Sequence, residues 1–214
     1  MSVDNSIPSI FVYDDNIRKT YPVVAGLDEA GRGPLAGPVV ASAVVLPADT
    51  VINGIRDSKK ITVKERKKLF WDIVQSAVAI GVGIVDADVI DRINILQSTR
   101  RAMGEAVKDL GVKADILLID AVKLPDVDIE QFSTFKGESV SASIAAASII
   151  AKVVRDDIML YYHEKYPVYN FKGHKGYSTK EHMTHINMYG PCSIHRMSFR
   201  KVNDLQLPFG CENQ

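Results

Sequence analysis

Four acids stand where a chain could gather negative charge at one place. Asp28 and Glu29 end the apolar run 23–27, Asp120 ends "DILLID" at 115–120, and Glu138 lies in "FKGES" just before a long Ala-rich segment. Carboxylates crowded together without a cation repel one another and are driven toward protonation. Such oxygen clusters select hard cations, Mg2+ or Mn2+. Two of these ions about 4 Å apart can activate a water and stabilise the leaving oxygen of a phosphodiester. Taken singly, each acid also reads as a strand-end cap or a solvated carboxylate. Asp156, in "VRDD", is a more remote candidate for the fourth acid.

The acids are followed by a permissive loop. In "GLDEAGRGP", Gly26-x4-Gly31 has the glycine spacing of a phosphate loop, but Arg32 and Gly33 stand where that loop needs Lys and then Ser or Thr. The match fails. Gly31 and Gly33 still let bare backbone approach a sugar-phosphate chain beside Arg32, and an ordinary tight turn is the competing account. Cations and hydroxyls recur in "DSKK", 57–60, and in "NFKGHKGYST", 170–179, which carries Lys172, His174, Lys175 and Tyr177. These suit phosphate positioning and stacking on a sugar or base, or else a solvated loop. His182, His185, Cys192 and His195 form an H-x2-H…C-x2-H array. Its spacing matches no familiar zinc module, so a polar surface with a packed Cys is the simpler account.

The elements that must position these groups follow from periodicity. Runs 23–27 and 39–46 are rich in β-branched residues and read as a hairpin-like pair of strands around the glycine loop. Runs 79–85, 115–120 and 130–135 read as further strands, the second as a buried one. Helical spacing marks 62–78, with Thr62 as N-cap and Glu65 three residues on, and also 95–110 and 142–162, with a further helix near 179–189. The small residues that open 142–162 allow close approach to a sheet, which puts this helix at the centre of the packing. If the strands ending at Asp28 and Asp120 are parallel neighbours, both carboxylates emerge at one sheet edge. Side chains alternate along a strand, so Asp28 and Glu29 reach one site only if the strand breaks at Glu29.

The bulk composition is neutral: 26 basic and 26 acidic residues in 214, with 46% hydrophobic residues, enough for one sizeable core. This balance does not advertise a nucleic-acid binder and does not exclude one, since binding depends on where charge sits. Two cysteines make no disulfide framework and fit a reducing cytosol. The first residues lack the pattern of a signal peptide, and no apolar run is long enough for a membrane span, so a cytoplasmic protein is expected. Residues 1–20 read as a loose lead-in, 21–200 as one α/β domain with a mixed sheet, and 201–214 as a tail.

Read together, "GLDEAGRGPLAGPVV", "DSKK", "NILQST", "LLIDA", "SASIAAASIIAKVVRD", "GHKGYST" and "GPC-IHR-SF" resemble bacterial ribonuclease HII in order and spacing. The resemblance runs from about Val24 to Phe199. It implies a ribonuclease H-like fold with a mixed five-stranded sheet flanked by helices. It further implies a monomeric endonuclease that cuts the RNA strand of RNA–DNA hybrids, and cuts at ribonucleotides embedded in DNA, leaving 3′-hydroxyl and 5′-phosphate ends. Carried onto this chain, Asp28, Glu29, Asp120 and Glu138 are the metal-binding catalytic acids for Mg2+ or Mn2+. Gly31, Arg32 and Gly33 read the 2′-hydroxyl, Tyr177 stacks at the sugar, and Lys59 and Lys175 contact phosphate. The fourth acid departs from the family's usual Asp: here it is Glu138, one methylene longer. A hybrid-binding protein with a decayed site is the alternative. In the tail "DLQLPF", Leu205, Leu207 and Phe209 resemble a sliding-clamp docking motif, with Asp204 where Gln is usual, or else they pack on the chain's own domain.

Overall fold

The computed structural model describes residues 8–55, 61–120, 122–134 and 136–204 of the chain. Lys59 and the tail with Leu205, Leu207 and Phe209 lie outside the described residues. Five strands form one sheet: β1 Val24–Ala30, β2 Val39–Val45, β3 Ala79–Val85, β4 Ile116–Asp120 and β5 Glu130–Thr134. Their order is β3-β2-β1-β4-β5. β1, β2 and β3 form an antiparallel meander, while β4 runs parallel to β1 and β5 parallel to β4. The sheet is therefore mixed. Helices cover both faces: α1 Ser9–Arg18, α2 Val63–Ser76, α3 Ala87–Asp109, α4 Ala142–Lys165, α5 Phe171–His174, α6 Lys180–Tyr189 and α7 Arg200–Asn203.

Alternation along β1 divides the core. Ala25 and Leu27 pack with Met103 and Ala106 of α3 on one face. Val24 packs with Ile116, Leu118 and Ile144 on the other, under α4. Ala142, Ala145 and Ala146 of α4 are all fully buried, as the small-residue run predicts. Gly26 is where strand and helix come closest: a Cβ there would stand 2.5 Å from the Ser143 carbonyl oxygen. α2 opens with the expected capping box between Thr62 and Glu65.

Two elements differ from the sequence expectation. The loose lead-in is instead a helix over Ser9–Arg18 with Phe11 and Asp14 buried. Asp14 explains it: its Oδ2 accepts from the backbone N–H of Ser143 at 2.8 Å and from the Ser143 hydroxyl at 2.7 Å, holding the start of α4. That contact spans most of the chain and leaves no local pattern. The helix expected at 95–110 begins at Ala87 and kinks at Asn94, which has φ +65°. The Asn94 side chain caps the restart, its Oδ1 accepting from the N–H groups of Leu96 and Gln97.

Candidate active site at the carboxyl ends of β1 and β4

Leu27 pairs with Ile119, so Asp28 and Asp120 each follow the last paired position of two parallel neighbours. Adjacent strands lie about 4.8 Å apart, and both acids point to the α4 side. This is the shared sheet edge that the sequence order implies. Glu138 reaches the same edge from a 3-10 turn, Gly137–Ser139, between β5 and α4. Lys136, in the left-handed region at φ +57°, turns the chain into it. The Gly137 N–H donates to Asp120 Oδ1 at 3.2 Å. Ser148 of α4 ties the group together: its hydroxyl stands 3.2 Å from Glu138 Oε2 and within hydrogen-bond reach of Asp28, and its single proton serves one carboxylate at a time.

The strand does not break at Glu29. β1 stays paired with β2 through Glu29↔Ala41 and Ala30↔Val40, and the bend comes at Gly31, φ +99°. The ladder to β2 outlasts the acids because β2 offers partners through Val40. Glu29 leaves the opposite face near the strand's end. Its carboxylate still lines a pocket with Ser148 and Lys152 of α4 and with Tyr177, and Arg32 Nη1 donates to Glu29 Oε1 at 3.3 Å.

Asp28 is 6% exposed. Burial raises its carboxyl well above the ordinary range, and the negative charges of Glu29 and Glu138 raise it further, while hydrogen bonds from Ser148 and the Glu29 N–H act the other way. This is the electrostatics of carboxylates crowded together away from water. Among the described residues, no three of His, Cys, Asp and Glu form a ready-made metal cage. The donor chemistry nevertheless fits a divalent ion that prefers oxygen: all the converging groups are carboxylates, and an ion would relieve the repulsion that raises Asp28. Asp156 takes no part. It pairs with Lys152 at 2.7 Å and with Arg66 at 3.8 Å.

Arg32 and Gly33 are exposed in the same pocket. Tyr177 is 43% exposed, with Lys152 Nζ and Arg155 Cζ each 5.8 Å from its ring centroid. Lys175 does not line this pocket. Its Nζ donates back to the Lys172 carbonyl at 2.7 Å, so Lys152 is the lysine the fold brings to the site. Lys152 and Ser148 were not singled out by sequence reasoning. Their position one helical turn apart after the Ala-rich start of α4 is the signal that could have found them.

His182 and His195 are not at the surface, and their ring nitrogens are engaged in hydrogen bonds. His182 is fully buried and His195 is 2% exposed. His182 Nδ1 donates to the Tyr177 carbonyl at 2.9 Å, which leaves its Nε2 to accept from His195 Nε2–H at 3.0 Å. His195 Nδ1 then accepts from the Cys192 N–H at 2.9 Å. His174 stacks on His182 at 4.2 Å, donates from Nε2 to the Tyr169 carbonyl and accepts the Gly176 N–H at Nδ1. Each ring is thus satisfied as a neutral imidazole. Burial pushes His182 and His195 down to about 4. The cluster braces the backbone that presents Tyr177.

The ribonuclease HII family profile matches residues 25–202, spanning every acid and loop described above. The chain belongs to the ribonuclease HII family. It is therefore an endoribonuclease. It is 56% identical over 184 residues to the ribonuclease HII of Acetivibrio thermocellus, covering 86% of this chain and 72% of that one. It is 50% identical over 198 residues to the ribonuclease HII of Geotalea daltonii, covering 92% of each. Among solved structures, the ribonuclease H2 of Pyrococcus horikoshii superposes with a TM-score of 0.74 at 25% identity, over 86% of this chain and 96% of that one. The mixed five-stranded sheet is thus a ribonuclease H fold, as the sequence implies.

Proposed function

We propose that this protein hydrolyses the RNA strand of RNA–DNA hybrids and cuts at ribonucleotides embedded in duplex DNA, leaving 3′-hydroxyl and 5′-phosphate ends. The observation that carries the reading is the convergence of Asp28, Asp120 and Glu138 at one sheet edge, directly beside the exposed Arg32–Gly33 backbone and Tyr177. Glu29 and Ser148 line the pocket of Arg32, Gly33 and Tyr177, and Ser148 also reaches Glu138 and Asp28, so cutting chemistry and sugar reading lie side by side.

Asp28, Glu29, Asp120 and Glu138 would hold Mg2+ or Mn2+. When bound, these ions supply activation of the attacking water and neutralisation of the departing 3′-oxygen. The chain's own residues do the remaining work. Ser148 orients the Asp28 and Glu138 carboxylates by hydrogen bonding. Gly31, Arg32 and Gly33 bring backbone within reach of the 2′-hydroxyl, the group that distinguishes RNA from DNA. A site built to hydrogen-bond that hydroxyl rejects the deoxy analogue strongly. Tyr177 offers its exposed ring to the sugar, while Lys152, and Lys175 after a side-chain rotation, supply cations for phosphate. The catalytic domain spans residues 21–200, with α1 docked on it through Phe11 and Asp14, and acts as a cytoplasmic monomer. Among the described residues, no helix is long and apolar enough to cross a membrane.

The test is cleavage of a DNA duplex carrying one ribonucleotide, with Mg2+ or Mn2+ supplied. Wild type should nick it, and Asp28→Asn, which keeps shape but not charge, should not. Stoichiometric binding without turnover by wild type would establish the hybrid-binding alternative instead.

A further inference from the structure

Two arginines outside the acid cluster lie beneath the loop at residues 31–38. Arg155 and Arg196 are both fully buried. Arg196 donates from Nε to the Gly37 carbonyl at 3.0 Å. Its Nη1 donates to Arg32 at 3.0 Å and Pro34 at 2.9 Å, and its Nη2 to Gly31 at 2.6 Å and Gly37 at 2.8 Å. Arg155 donates from Nε to Pro38 at 3.0 Å, from Nη2 to Ala36 at 3.1 Å and from Nη1 to Lys175 at 3.1 Å. Every acceptor in these bonds is a main-chain carbonyl. Burying a guanidinium is costly unless its donors are satisfied. Burial and the neighbouring Arg155 together lower Arg196 to about 9, so it is still charged at neutral pH.

The direction of these bonds has a consequence for the loop's outer surface. In a planar trans peptide, the carbonyl of one residue and the N–H of the next point opposite ways. The Gly31 and Arg32 carbonyls turn inward onto Arg196. The N–H groups of Arg32 and Gly33 therefore turn outward, toward the pocket shared with Glu29, Lys152 and Tyr177. Gly31 lies hard against the second guanidinium: a Cβ there would stand 2.5 Å from Arg155 Cδ.

We propose that Arg196 is a specificity-determining positioning residue, whose five-bond grip on residues 31–37 orients the Arg32 and Gly33 peptides so that the loop offers donors to the 2′-oxygen of a ribonucleotide. Arg155 holds the far side of the same loop and links it to the turn that carries Tyr177. Lysine cannot replace Arg196 in this task. An ammonium is a point charge with three donors, whereas the planar fork presents five in fixed directions. The proposal rests on the reading that residues 31–33 meet the ribose.

The experiment measures two dissociation constants in Ca2+, one for a DNA duplex with a single ribonucleotide and one for the same duplex in all-DNA form. Wild type should prefer the ribonucleotide. Arg196→Lys should lower that preference about tenfold or more, with all-DNA binding unchanged. A ratio taken on one preparation cancels any loss of folded protein, so a purely structural role would not move it. Arg155→Lys, which leaves the Gly31, Arg32 and Pro34 carbonyls held, should lower the ratio by a smaller factor. A wild-type ratio in Arg196→Lys overturns the proposal. Should that variant not fold, a wild-type ratio in Arg155→Lys overturns it equally. No ribonucleotide preference in wild type would instead overturn the reading of residues 31–33 itself.

Discussion

Gly26→Ala tests how strand packing sets the active site. The added methyl would stand 2.5 Å from the Ser143 carbonyl oxygen and closer still to the Ser143 carbonyl carbon and the Ile144 nitrogen, where ordinary contact begins at 3.4 Å. Subtracting 2.5 from 3.4 leaves at least 0.9 Å by which strand and helix must part. The obstacle is backbone on both sides, so no side-chain rotation relieves it. Overpacking of this kind costs about 1–3 kcal/mol. The same displacement carries Ser148 away from Asp28, since Ser148 rides on α4 and Asp28 lies two residues beyond Gly26 on β1. A misplacement of about 1 Å can cost about 100-fold in rate. The variant should therefore melt lower by thermal denaturation and, at temperatures where it stays folded, cut a single-ribonucleotide duplex about 100-fold more slowly. A folded Gly26→Ala protein with wild-type melting temperature and wild-type rate would refute the claim that this close approach sets the carboxylate geometry.

Gly33→Ala should behave oppositely on stability. A Cβ at Gly33 has nothing within 4 Å, so the melting temperature should hold while ribonucleotide cleavage falls, because the methyl occupies the space through which the sugar approaches. Unchanged kinetics would remove Gly33 from the substrate surface. The histidine cluster predicts an acid limit. With folded values of about 4 for His182 and His195 against an ordinary 6.5, the unfolded chain binds more protons than the folded one between those limits. Stability is therefore fully present above 6.5 and is lost as pH falls toward 4, by up to about 3 kcal/mol per imidazole. An NMR titration of the ring protons checks this: the two rings should stay neutral down to about pH 4, and a midpoint near 6.5 for either would contradict the relay.

Local patterns in the sequence were enough to place the strands and most of the helices. β-branched runs mark β1 and β2, a continuous apolar run ended by an acid marks β4, and the Thr62–Glu65 capping box marks the start of α2. Such signals lie within a few residues of one another. α1 escaped because its reason is the bond from Ser143 to Asp14, which joins distant parts of the chain. The kink in α3 escaped because Asn94 adopts a conformation rare for side chains other than glycine.

The site divides in the same way. Residue type and order along the chain were sufficient to nominate Asp28, Glu29, Asp120 and Glu138, because a carboxylate's affinity for hard cations is a property of the group itself. The path of β1 was not legible: the alternation rule required a break at Glu29, and the strand instead continues to Ala30, because its pairing with β2 decides where it ends. Tertiary structure alone showed that Lys152, not Lys175, reaches the pocket, that His174, His182 and His195 are buried and neutral, and that Arg155 and Arg196 lie beneath the glycine loop. The reason is common to all three. Which lysine reaches in, which imidazole loses its proton and which way a peptide faces depend on groups supplied by distant segments, and these become neighbours only when the chain is folded.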